Sequence, residues 1–457
     1  MIFVDSIEVS RDMNFQIALA TATDIINASE ANISGTLLVT SETQTFNSLK
    51  LILKDSNNNT VSELQAEETE WKNGDRFDYN FPQPLPLETG IANKFTITVC
   101  LDGTNTDVNY SINNLSFKPT KRIIVEEYTG MGCPNCPLGI LAMENMEKIY
   151  GDAIIPIILH TYTGDIYGSG VEDYSSFLGF TAAPSGIVNR GVISAPMYED
   201  VTNGFQFTNA EGSLWLDYAS KEFDTTAEAE IDITANFNTN NKKITINSEI
   251  QYAMSAEGKN VNLFTVVMED NLVGYQDNNR SSIADPNLGE WGKDGAYGSS
   301  RVYPYYFNNV ARAVIGGYNG TGGYIPSKID ANTIYSPTLS FDVPSNIKDV
   351  NNMKVVCAMI DANTGKVINA AITKVEVTDH ISDIEKEQTI DIVGLEDQIL
   401  VKSDCPATIS IFSTNGTLLN KVNSNGESTI NVGSYKGLAI VKVIAGNMVT
   451  SKKVLVK

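Results

Sequence analysis

The segment from Ile123 to Leu159 limits the possible folds of this chain more than any other part of it. A continuous apolar run, Ile123-Ile124-Val125, precedes Cys133-Pro134-Asn135-Cys136, a helix-patterned stretch from Leu138 to Tyr150, and a second apolar run from Ala153 to Leu159. Short apolar runs bounded by turn residues read as buried strands. Strand, helix, strand in so short a span predicts a βαβ unit and hence a parallel sheet, because parallel strands need a crossover connection. The pattern further predicts a short helix at Val171 to Phe180, a strand at Gly186 to Val192 and a helix at Asn209 to Phe223. Residues 192 to 208 read as loop.

The cysteine pair falls where chemistry is available. A helix N-terminus presents unpaired N–H groups and a partial positive charge of ~0.5 e, which stabilises a thiolate and lowers its pKa. Cys133 is then the more accessible thiol and the candidate nucleophile. Cys136, one turn along the helix, is the candidate resolving thiol. A C-x-x-C is also half of a zinc site or a structural disulfide, but zinc needs two further Cys or His ligands and no second C-x-x-C is present. The two histidines, His160 and His380, lie far apart in sequence and argue against a His-based metal site. No cofactor and no metal site is read from the sequence.

The strand-to-helix setting resembles the thioredoxin superfamily. The stretch Glu126-Glu127-Tyr128-Thr129-Gly130-Met131-Gly132-Cys133-Pro134-Asn135-Cys136-Pro137 looks in particular like the outer membrane protein 28 related family of bacterial envelope proteins. That resemblance implies further roles. Pro184, within Ala183-Pro184-Ser185-Gly186, stands where such proteins place a cis-proline against the disulfide, and an ordinary trans loop proline is the alternative. Glu127 stands where thioredoxins hold a buried acid that relays a proton to the resolving cysteine, against a solvent-facing glutamate at a strand end. Two departures are visible: no tryptophan precedes Cys133, and the loop-like residues 192 to 208 replace a regular fourth strand.

The 457-residue chain is too long for one core. Residues 1–118 alternate apolar and polar positions in short runs such as Leu49-Lys50-Leu51-Ile52-Leu53, parted by turns such as Asp55-Ser56-Asn57-Asn58-Asn59, and read as an N-terminal β-sandwich. Residues 119–224 form the thioredoxin-like α/β domain. Residues 225–378 read as a second β-sandwich with hairpins at Asn238-Thr239-Asn240-Asn241 and Asp361-Ala362-Asn363-Thr364-Gly365, and with a Gly- and Tyr-rich loop over 275 to 325. A polar connector, Asp379 to Gln388, leads to a small Ig-like β-domain over 389–457. The predicted fold class is thus multidomain α+β, mostly β. The terminal run from Ile430 to Lys457 resembles type A sorting domains of the type IX secretion system, although Ala439 stands where an aromatic is usual. A generic terminal Ig-like module is the alternative.

Charge narrows the partners. The net charge of −23 repels phosphate backbones and anionic lipid, which excludes nucleic acid as a partner. No apolar run approaches the ~20 residues that span a bilayer, and Met1-Ile2-Phe3-Val4-Asp5 has no secretory-signal pattern. Tyr297, Tyr303, Tyr305, Tyr306, Phe307 and Tyr318 offer stacking surfaces for sugars or peptides, or simply pack. Asp285-Pro286-Asn287 and Asp294-Gly295 do not match a calcium-loop spacing. Cys100, Cys357 and Cys405 receive no role.

Two functional readings remain. The first is an envelope or cell-surface thiol–disulfide oxidoreductase acting on a protein substrate through Cys133, Cys136, Pro184 and Glu127. The second is a non-catalytic surface adhesin or ligand-binding protein, in which the thioredoxin fold is a scaffold and a protein or carbohydrate partner binds elsewhere.

Overall fold

A computed structural model describes residues 14–194, 215–378, 390–395, 397–403, 406–445 and 448–457. The protein is mostly β and divides into two compact units, 1–378 and 379–457. The connector Asp379 to Gln388, His380, Cys405 and residues 195–214 lie outside the described residues. Among the described residues no helix is long and apolar enough to cross a membrane.

The first unit opens on a β-sandwich. A three-stranded sheet (Phe15–Leu19, Ser34–Val39, Arg76–Asn80) and a five-stranded one (Asp24–Ile26, Thr104–Leu115, Ile91–Leu101, Leu49–Lys54, Thr60–Gln65) share one core that includes Leu37, Val39, Leu51, Leu53, Ile97 and Val99. Strict alternation of buried and part-buried positions along Leu49–Lys54 turns Leu49, Leu51 and Leu53 inward.

Past Ser116 the chain builds a large sheet that crosses the 224/225 boundary. Its order runs Ile193–Ser194, Ser185–Val188, Ile123–Tyr128, Ile154–Leu159, Val310–Ile315, Val261–Glu269, Met353–Asp361, Val367–Thr378, Ala229–Asn238, Lys243–Tyr252, Ile334–Tyr335. The βαβ unit is present: Ile123–Tyr128 pairs parallel to Ile154–Leu159, with the helix Pro137–Tyr150 between them in sequence. Strand Ile154–Leu159 then meets Val310–Ile315 through Ile158 and Val310, which fuses the unit to the strands of 225–378. Leu272–Asp277 and Arg301–Phe307, also within 225–378, pair with each other as a separate two-stranded sheet.

Two local expectations need correction, and a third is described only in part. The stretch 275 to 325 contains the strands Arg301–Phe307 and Val310–Ile315, the first masked in sequence by its run of tyrosines and the second burying three consecutive residues without alternation. Residues 192 to 208 begin with a two-residue strand, Ile193–Ser194, bonded to Gly186 and Ile187, and the rest from Ala195 lies outside the described residues. The helix expected from Asn209 is described over Trp215–Phe223.

The second unit packs a three-stranded sheet (Ile390–Gly394, Gln398–Ser403, Ser428–Asn431) and a four-stranded one (Leu418–Ser424, Ala407–Ser413, Gly437–Ala445, Met448–Val456) over a core that includes Ile399, Val401, Ile409, Ile411 and Val441.

Candidate functional site

The strand Ile123–Tyr128 ends in Thr129-Gly130-Met131-Gly132, and the chain turns there into the helix. Gly130 is required: a Cβ on it would come within 2.6 Å of the Tyr162 Cβ and 3.1 Å of Asp165 Oδ2. That close approach lets the Met131 N–H donate to Asp165 Oδ2 at 2.7 Å, while His160 Nδ1 donates to the same oxygen at 2.9 Å. Burial pushes the Asp165 carboxyl up, but hydrogen bonds from His160, Tyr167 and Met131 outweigh it and hold the group below its ordinary value. The turn before the cysteines is therefore anchored on an ionised, buried aspartate.

Cys133 and Cys136 form a disulfide at the start of the helix, whose first residue is Pro137. Proline there costs nothing, since the N–H it lacks would have no intrahelical partner. The expected exposure of Cys133 is not found, because Cys133 is 2% exposed and Cys136 fully buried. The reason is the strand Leu272–Asp277, which lies against the motif. Gln276 Nε2 donates to the Cys133 carbonyl at 2.9 Å, the Asp277 N–H to the Met131 carbonyl at 2.9 Å, and the Asn279 N–H to the Pro134 carbonyl at 2.9 Å. Asn279 and Arg280 also donate to Asn135 Oδ1. Gly274 allows the fit, since a Cβ there would meet Met131 Sδ at 2.5 Å. Sequence reading missed this cover. Its one local signal is the polar run Gln276-Asp277-Asn278-Asn279-Arg280 directly after an apolar strand, which does not indicate a target.

Glu127 and Pro184 meet at the first turn of the helix. The Ala183–Pro184 bond is cis. A Cβ on Gly139, three residues after Cys136, would lie 2.2 Å from Glu127 Oε1 and 3.2 Å from Pro184 Cβ, so this glycine holds the proline and the acid against the helix that carries the disulfide. Glu127 is 2% exposed and its Oε1 has no partner among the described residues. With no cation to offset it, burial raises this carboxyl to about 8. The structure thus brings all four sequence-derived positions, Cys133, Cys136, Pro184 and Glu127, to one end of one helix.

Other candidates resolve into packing. Trp291, Tyr297 and Tyr305 form a ring cluster, with Trp291 centroids 4.9 and 5.2 Å from the other two, and Tyr318 stacks on Tyr174 at 5.0 Å. Tyr303 and Tyr306 are exposed. Asp285 caps its own turn by accepting from the Asn287 N–H at 2.9 Å. Cys357 is buried in Met353–Asp361, its thiol pushed up to about 11 by burial, and Cys100 is half-buried in Ile91–Leu101. Among the described residues no cluster of three metal-ligating side chains occurs.

Comparison with known proteins gives a partial match. No curated protein matches the chain. Among solved structures, HBP35 of Porphyromonas gingivalis is similar at 17% identity over 74% of this chain and 99% of that one, with a TM-score of 0.40. A domain of the outer membrane lipoprotein Omp28 from the same organism is similar at 14% identity over 33% of this chain and 91% of that one, with a TM-score of 0.20. The family match begins at Val171, downstream of both cysteines: residues 171–379 match the model of the family described as outer membrane protein Omp28.

Proposed function

We propose that this protein is an extracytoplasmic thiol–disulfide oxidoreductase-like protein of the bacterial outer membrane or cell surface, built on a thioredoxin-like unit. The observation that carries this reading is the convergence of Cys133–Cys136, cis Pro184 and the unpartnered Glu127 at the first turn of one helix. In the reduced state the Cys133 thiolate attacks a substrate disulfide, forming a mixed disulfide and releasing one substrate thiolate. Cys136 then attacks Cys133 Sγ, its proton passing to the Glu127 carboxylate, and the second substrate thiolate leaves as the Cys133–Cys136 bond forms. Two electrons have moved from the protein to the substrate. The reverse sequence oxidises a substrate dithiol, with Glu127 returning the proton to Cys136. A carboxyl with a pKa of about 8 holds or releases that proton near neutral pH. The match of residues 171–379 to an outer membrane family supports the location. The resemblance of residues 430–457 to type A sorting domains supports delivery by type IX secretion.

The burial of both cysteines favours a second reading, in which the disulfide is permanent and the unit is a scaffold for a surface-binding protein. Insulin reduction separates the two. Turnover that is lost in Cys133→Ser and accelerated in Gln276→Ala, which loosens the cover, is the expected result. An inert wild-type protein would leave the scaffold reading standing.

A further inference from the structure

A cavity of about 420 Å³ opens beside Glu127. Ile140, Met143, Glu144 and Glu147, spaced on one face of the helix Pro137–Tyr150, form one wall. Pro156, Ile158 and His160 alternate along the neighbouring strand and its end and form another. Tyr305, Tyr306 and Phe307 form a third, and Thr129, Asn271, Asn308 and Asn309 add hydroxyl and amide groups to the lining.

Three buried polar side chains on the wall of this cavity each leave one atom without a partner among the described residues. Gln276 Nε2 is spent on the carbonyls of Cys133 and Asp277, at 2.9 and 3.0 Å, and its Oε1 has no partner. His160 Nδ1 is bonded to Asp165 Oδ2 at 2.9 Å, and its Nε2 also has no partner. Glu127 Oε1 is the third. All three side chains line the cavity and none is more than 2% exposed. Buried polar atoms without partners are costly to the fold. The lysine on the cavity wall does not serve them, because Lys354 Nζ is held by Asp270 at 2.6 Å and by Asn309 Oδ1 at 2.8 Å.

We propose that this cavity binds an organic cation, an alkylammonium or guanidinium group, whose N–H donors meet the unpartnered oxygens of Glu127 and Gln276 between the tyrosine rings and the carboxylates of Glu144 and Glu147. A sugar hydroxyl would bring no positive charge to meet the carboxylates of Glu144 and Glu147. An anion would face Glu144 and Glu147. The rings of Tyr305 and Tyr306 suit a cation through their faces. A bound cation would also favour the ionised form of Glu127, so binding at pH 7 releases a proton. The proposal does not depend on redox activity: an inactive protein that still binds cations would sink only the redox reading.

Calorimetric titration of the full chain with methylguanidinium at pH 7, in two buffers of different ionisation enthalpy, tests it. Saturable binding with proton release is expected, weakened at least about tenfold in Glu144→Gln/Glu147→Gln and also weakened in Tyr306→Ala, both changes being at exposed positions that folding tolerates. An acetylated, amidated Gly-Arg-Gly peptide that binds more tightly than methylguanidinium identifies the cation as a side chain of a protein client, and equal affinity identifies a free small cation. No saturation up to roughly 10 mM, affinity unchanged in the double variant, or displacement by glucose would each overturn the proposal.

Discussion

On one face of the strand Ile123–Tyr128, Glu126 is buried against Arg190 and Tyr174, while on the other face its neighbour Glu127 is equally buried with its Oε1 unpartnered among the described residues. Arg190 Nε lies 3.4 Å from Glu126 Oε1, Arg190 Nη2 donates to the Tyr174 hydroxyl at 2.9 Å, Nη1 to the Tyr318 carbonyl at 2.6 Å, and the guanidinium sits 4.1 Å from the Phe264 ring centroid. Burial still raises the Glu126 carboxyl, with Arg190 and Tyr174 opposing it. The two acids share a strand and a degree of burial. One is tied into a network that holds the βαβ unit to the segments carrying Phe264 and Tyr318. The other is left as an uncompensated proton carrier beside the disulfide. Partnering, and not burial, separates an acid that serves the fold from one available for chemistry.

The largest expected effect comes from breaking the tied side. Arg190→Met strands Glu126 without its cation and should cost about 3–5 kcal/mol in denaturant unfolding. A loss under about 1 kcal/mol would show that the two faces do not differ as described.

Next is the pH dependence of the untied side. Glu127 has a folded-state pKa of about 8 against an ordinary value of 4.5, so between those values the folded state binds more protons than the unfolded one. Stability should be greatest below pH 4.5 as far as this group is concerned, fall as pH rises through the window by up to about 1.4 kcal/mol per unit, and level off above 8. Glu127→Gln should remove that slope, which unfolding midpoints measured from pH 5 to 8 will read.

A smaller effect sharpens the contact between Glu127 and the helix. Gly139→Ala would ordinarily favour a helix, but here the new methyl meets Glu127 Oε1 at 2.2 Å, and a net cost of about 1–3 kcal/mol is expected. A stabilised variant would mean that the acid moves away freely.

The sequence made some of this legible and hid the rest for physical reasons. Alternation in Leu49–Lys54 and the apolar runs around the cysteines depend on neighbours in the chain, and both elements formed where the pattern placed them. The positions of Cys133, Cys136, Glu127 and Pro184 followed from local context and family resemblance. The cover did not, because Gln276 reaches Cys133 across 143 residues and leaves no periodic trace. Nor did the link between the βαβ unit and the strands that follow, which rests on the pairing of Ile158 with Val310. The Arg190 network was equally silent, since nothing near Arg190 in sequence points to Glu126.

The most direct test of the central claim is the reduction potential of the Cys133–Cys136 pair, measured by equilibrating the protein through a glutathione redox series. The account predicts a value between about −120 and −270 mV, the range of thiol–disulfide oxidoreductases. A value below about −300 mV would contradict it and mark the disulfide as structural.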